Sequence, residues 1–212
     1  MILGLDVSTT KIGVAILSDP IDSPLNVNGS VVPRQRRELL LSEHWDLDTK
    51  KYPDLESKME VVMAELSTIR SEYNITDVYI EEHVKGTFHF RNSNIRILLQ
   101  LATFNGLVRW ACYDLLETKV IPVAARKART TYGISFPRTA KSPERKKIVV
   151  QKVIEKEGDK FDWSFNRGGK NYATGVDDRA DAVVVARFGE YDIKVRGDKP
   201  FLTQKMSVEN IT

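Results

Sequence analysis

The chain has one cysteine, Cys112, among 212 residues. A single thiol excludes an intramolecular disulfide and a four-cysteine zinc site, and it suits a reducing compartment. No apolar run is long enough for a membrane span. The most apolar stretch, Ile95–Leu116, is broken by Gln100, Asn105, Arg109 and Asp114, which excludes that role. The opening residues Met1 to Asp6 lack a basic region and a cleavage site, so no signal peptide is expected and the location expected is cytoplasmic. Paired glycines occur only at Gly168 and Gly169. There is no internal repeat and no low-complexity segment.

What is present is the balance of a globular protein, with 42% apolar and 29% charged residues. The length suits one domain, expected over 1–190 and followed by a polar tail over 191–212. Such a chain buries roughly 70% of the surface its unfolded form exposes, so it needs no covalent staples. Net charge is only +3, but it is unevenly spread. Between residues 124 and 160 eleven Lys and Arg stand against four acids, whereas residues 1–60 hold seven bases and ten acids. A basic block of this kind suits a polyanionic partner; a solvated helix face is the plainer alternative.

Short apolar runs at 2–7 and 12–17 flank Ser8-Thr9-Thr10 and predict a hairpin of buried strands. Residues 19–33, with Pro20, Pro24 and Pro33, read as a long loop or insertion. Further strands are predicted over 38–47, 77–81 and 119–124. Apolar positions at Leu55, Met59, Val62, Met63, Leu66 and Ile69 mark one helical face. Ile95–Leu116 predicts a helix covered on more than one side, with close approach of another backbone offsetting Gly106, which costs roughly 1 kcal/mol relative to Ala. Basic helices are predicted over 125–132 and Ser142–Glu157, the second capped by Ser142 with Pro143 in its first turn. Residues 85–94 read as a loop, 167–171 as a turn and 178–188 as a final helix. The order predicts a mixed α/β sheet with helices on both faces.

The informative residues are acids in places that punish charge. Asp6 lies within an apolar strand, where an ionised group is costly unless paired or metal-bound. Glu81 ends another apolar strand, and Glu82 follows it; alternation lets only one of them face a given site. Asp178 and Asp181 share one helix face by their spacing. Asp177 is the alternative to Asp178 and is otherwise expected as the helix N-cap. Four carboxylates meeting over one point of the sheet would repel strongly. Hard divalent cations relieve that repulsion, and oxygen ligands suit Mg²⁺ or Mn²⁺. Two such ions about 3.5–4 Å apart can activate water and stabilise the leaving oxygen at a phosphodiester.

These residues carry a resemblance. Ile2 to Ser8 with Thr9, Gly13 and Ala15, then Ile80-Glu81, then Ala124-Ala125-Arg126 with Arg129, Thr131 and Gly133, and finally Asp178-Arg179-Ala180-Asp181-Ala182 resemble, in order and spacing, the motifs of the RuvC-like Holliday junction resolvases. The resemblance covers roughly residues 1–188. It implies an RNase H-like fold with a mixed five-stranded sheet. It also implies a homodimer that resolves four-way DNA junctions by paired, symmetric, Mg²⁺-dependent nicks, with Mn²⁺ able to substitute and two ions per site. The catalytic and metal-binding set it implies is Asp6, Glu81, Asp178 and Asp181. The chain departs from the compact bacterial pattern near 19–37, over 134–176, after Glu81 and in its tail.

Around this set, Phe88 and Phe90 follow Glu81. In the resembling family an aromatic here stacks on bases at the junction; packing beneath the loop is the alternative. His83 beside them reads as an ordinary loop histidine. Arg126, Lys127 and Arg129 follow a strand and are expected near the acids as phosphate contacts. Arg138, Lys141, Arg145, Lys146 and Lys147 extend that DNA-binding groove. Ile95–Leu116 is the candidate dimer helix, with a core role as the alternative. Three other functions compete: an RNase H-like nuclease for other branched DNA or RNA, an actin-like or sugar-kinase ATPase, and a DNA-binding module without catalysis. The ATPase needs glycine-rich phosphate loops, and a pure binder gains nothing from acids that repel the DNA backbone.

Overall fold

The computed structural model describes residues 1–27, 30–82, 95–169 and 171–196. Its strands are β1 (Ile2–Val7), β2 (Lys11–Leu17), β3 (Ile21–Val27), β4 (Ser30–Arg36), β5 (Leu39–Asp46), β6 (Asp77–Glu82) and β7 (Val120–Ala124). Its helices are α1 (Leu55–Glu72), α2 (Ile95–Leu116), α3 (Ala125–Thr131), α4 (Ser142–Glu157) and α5 (Val176–Arg196). Five strands form one sheet in the order β5-β2-β1-β6-β7. The hairpin side is antiparallel and the β1-β6-β7 side parallel, so the sheet is mixed, as expected.

Side-chain alternation divides the core in two. Leu3, Leu5, Val14, Ile16, Val78 and Ile80 point to the face covered by α1 and α2. Ile2, Ala15 and Tyr79 point to the opposite face, where α5 lies over the sheet with α3 and α4 beside it. Asp6 and Glu81 share the parity of Ile2 and Tyr79, which places both on the α5 face. Buried polar groups tie the outer helices together. Arg187 on α5 pairs with Glu157 of α4 at 2.6 Å and with Glu190 at 2.8 Å. The Tyr132 hydroxyl, just past α3, donates to Glu157 at 2.9 Å.

Helix α5 rests on a surface stripped of side chains. A Cβ at Gly4 would lie 2.6 Å from the Ala182 carbonyl oxygen, and one at Gly13 only 2.0 Å from that of Asp178. The first turn of α5 is thus pressed onto the β1-β2 hairpin.

Several expectations are corrected. Residues 19–33 are not a plain loop, because β3 and β4 pair antiparallel with Pro24 opposite Pro33. A two-stranded ribbon has only edge strands, and edges tolerate proline. The residue before α4 is Lys141 rather than Ser142, with no side-chain cap bond, and Ser142 opens the helix. The last helix runs from Val176 to Arg196, so Asp177 lies inside its first turn and is not the N-cap; six residues of the expected tail are helical. Among the described residues, helix α2 is covered on one side. Phe104, Val108, Ala111 and Cys112 are buried, while Ile95, Ile97, Leu99, Trp110 and Tyr113 are exposed. Among the described residues nothing comes within 4 Å of a Cβ placed at Gly106.

The seating of α5 is testable. Gly13→Ala should cost about 1–3 kcal/mol through overpacking, read as a lower urea midpoint at unchanged slope. An unchanged midpoint would show that the helix does not press on the hairpin.

Candidate active site

The four sequence-identified acids come together where β1, β6 and the start of α5 meet. Glu81 and Asp181 are buried, at 7% and 9% exposure; Asp6 and Asp178 are half-buried. Their mutual influence shows in their acidities. Burial, then the charges of Glu81, Asp181 and Asp178, raise Asp6 well above the usual carboxylate range. Burial and Asp181 push Glu81 up to about 7. Burial raises Asp181, with Arg129 pulling the other way. Burial and Asp177 raise Asp178, opposed by Lys146 and Lys11. Of the pair at the end of β6, Glu81 is the inward acid.

Positive charge is built into the same place. Arg129, at the end of α3, donates from Nε and Nη2 to Asp181 Oδ1 at 3.1 and 2.8 Å. Its Nη2 also lies 3.6 Å from Glu81 Oε2. Lys146 of α4 pairs with Asp177 at 2.5 Å, so Asp177 is engaged by a cation at the rim. Among the described residues no three acidic, histidine or cysteine side chains stand as a ready-made metal cage. The donor set still fits a hard divalent cation. It is oxygen-only, and four carboxylates raised by one another and by burial are relieved by added positive charge. Asp6, Glu81, Asp178 and Asp181 would hold it.

The structure separates the basic candidates. Arg129 and Lys146 reach the acids. Lys127, expected near them, instead holds its Nζ 5.0 Å from the centre of the Phe188 ring, farther along α5. Arg145 donates to the Ala140 carbonyl at 2.9 Å and lies 5.6 Å from the Phe136 ring. Arg126, Arg138, Lys141 and Lys147 are exposed. His83, Phe88 and Phe90, with the loop expected over 85–94, lie outside the described residues.

Two residues escaped the sequence reading. Lys11 at the start of β2 acts on Asp178. Lys58, only 2% exposed, donates to the Thr9 carbonyl at 2.5 Å and to Thr49 Oγ1 at 3.4 Å, pinning the turn after Asp6 to α1. The available signal was its place on the buried α1 stripe Lys58, Val62, Leu66 and Ile69, where a charge needs a partner.

The raised Glu81 sets a pH dependence. The folded state holds its proton up to about 7, against 4.5 ordinarily, so it binds more protons than the unfolded chain in that window. Stability therefore falls as pH rises from about 4.5 through 7. Metal-free protein should show a declining thermal midpoint over this range. Mg²⁺ should restore the midpoint, and Glu81→Gln should flatten the decline. A midpoint rising across the window would contradict the crowding of the acids.

No protein-family model and no curated protein matches the sequence. Solved structures do match. Thermus thermophilus RuvC superimposes with a TM-score of 0.59 at 14% identity, covering 92% of this chain and 96% of that one. The same protein in complex with a Holliday junction substrate matches with TM-score 0.59 at 12% identity and the same coverage. The chain therefore has the RNase H-like fold of RuvC, along nearly its whole length.

Proposed function

We propose that the protein is a divalent-metal-dependent, structure-selective endodeoxyribonuclease that resolves four-way DNA junctions by paired symmetric nicks. The observation that carries this reading is the meeting of Asp6, Glu81, Asp178 and Asp181 in one cluster, each raised in pKa, on the fold of RuvC. Bound Mg²⁺, for which Mn²⁺ substitutes, would activate water and stabilise the leaving oxygen, with two ions per site. The chain's own groups do the positioning. Arg129 holds Asp181 and Glu81 and offers its guanidinium to a phosphate. Lys11 and Lys146 flank Asp178 on the strand and helix sides. Arg126, Arg138, Lys141 and Lys147 extend a positive surface toward the DNA backbone, where contacts set orientation and salt dependence. Phe88 and Phe90 are the proposed base-stacking residues after Glu81.

Paired nicks need two sites related by symmetry, and α2 supplies a surface for a twofold pair. Leu99, Thr103, Gly106, Trp110 and Tyr113 recur at alternating spacings of four and three along its exposed side, which is the seam of paired helices. The open space above Gly106 leaves room for a second backbone. The homodimer is proposed through this seam.

The decisive assay offers matched four-way, three-way and linear DNA with Mg²⁺. Symmetric nicks confined to the four-way substrate are expected; equal cutting of other branched DNA or RNA would move the function to a broader nuclease. Asp6→Asn and Asp181→Asn should each abolish cleavage while junction binding survives, and chelator should act likewise. Activity that persists in chelator would refute the metal-dependent reading. Trp110→Glu should convert a dimer to monomer by light scattering; an unchanged mass would remove α2 from the interface.

A further inference from the structure

Residues 163–169 and 171–173 form the arms of an irregular hairpin shortly before α5. Ala173 N–H donates to the Ser164 carbonyl at 2.8 Å and Asn166 N–H to the Asn171 carbonyl at 2.9 Å, with Phe165 and Tyr172 paired across the strands. Their rings stack at 5.2 Å and 9°, and Trp163 meets them edge-on at 5.5 and 6.0 Å. The base is anchored by buried Phe161, which carries the Arg179 guanidinium at 6.0 Å. Yet Trp163 and Phe165 are 38% and 51% exposed and belong to neither apolar core. Tyr172 packs on the core beneath, and Trp163 and Phe165 are arrayed over it with part of their ring surface exposed.

The surroundings indicate what such an array takes. Tyr172 and Asn171 line a cleft of about 190 Å³ together with Lys146, Lys147 and Asp177. Asp177 adjoins Asp178, so the cleft opens at the rim of the acid cluster. Arg167 is exposed at the hairpin turn. Ring surfaces flanked by Lys and Arg complement a nucleic acid strand, whose bases present π-faces and whose phosphates carry the charge. In a continuous duplex those faces are covered by neighbouring bases. Only a base released from the stack, as at a branch point, can lie on Phe165 or Trp163.

We propose that the 163–173 hairpin is a stacking platform for an unpaired base of branched DNA, with Lys146, Lys147 and Arg167 holding the adjoining phosphates. The proposal rests on the nuclease reading above and adds a contact on the α4-α5 side of the acids. It is separate in sequence from the segment that follows Glu81.

The test measures affinity for a four-way junction and for a linear duplex of the same sequence, in chelator so that nothing is cut. Trp163→Ala combined with Phe165→Ala should weaken junction binding by about tenfold or more and leave duplex binding unchanged. Phe165→Leu keeps apolar packing and removes the π-face, so it should weaken junction binding too, whereas Phe165→Tyr should retain it. Circular dichroism and thermal midpoints identify any variant that fails to fold, and the Leu and Tyr pair then decides. Junction affinity unchanged in Phe165→Leu, or junction and duplex affinities falling equally, overturns the platform alone, since wild-type cleavage of junctions would stand. Wild-type protein that neither prefers nor cuts branched DNA overturns the nuclease reading, and the platform with it.

Discussion

The close seating of α5 on the β1-β2 hairpin is the constraint from which the rest follows. Two carboxylates sit in the first two turns of that helix and one on the strand beneath it. They come together only because Gly4 and Gly13 bring no side chain between helix and sheet. Ala182 and Ala186 are the small partners on the helix side. A conventional interface of branched side chains would hold helix and sheet farther apart and pull Asp178 and Asp181 away from Asp6. Packing and chemistry are therefore one design: the thinnest part of the core is where the acids converge.

Crowding like charges in a poorly solvated place has a cost, and the chain offsets part of it internally. Arg129 reaches Asp181 and Glu81, while Lys146 and Lys11 act from the rim and the neighbouring strand. The offset is incomplete, because all four acids remain raised. A site left in this state favours incoming positive charge, which is the behaviour expected of a cation-binding cluster. The bonds among Arg187, Glu157, Glu190 and Tyr132 fix α4 and the end of α3 relative to α5. Arg129 and Lys146 are thereby held at set positions against the acids.

Much of this was legible in the sequence, since single positions contradicted their surroundings. Asp6 in an apolar strand and Glu81 at the end of another stand out by cost alone, and Asp178 and Asp181 by their helical spacing. Strand alternation alone could not choose between Glu81 and Glu82; the sheet's register and the position of α5 do. The β3-β4 ribbon was hidden because its prolines signal a loop. The range of α4 was read correctly but its cap was not, and the start of α5 was placed two residues late, because Ser142 and Asp177 suit a cap as well as a first turn. Lys127 leans toward Phe188 while Arg129 of the same helix reaches the acids, because chain adjacency to β7 does not fix a side chain's direction on a seven-residue helix. Of the aromatic hairpin only the turn over 167–171 was read, since its ring pairing depends on cross-strand geometry.

The buried run from Ala180 to Ala186 makes the middle of α5 among the most enclosed backbone in the molecule. Segments so enclosed open only with the whole domain, whereas surface ribbons and hairpins open on their own. The acid array is rooted in the first kind of segment and the aromatic hairpin belongs to the second. Local opening of the hairpin thus leaves the carboxylates undisturbed, and their arrangement lasts as long as the fold itself.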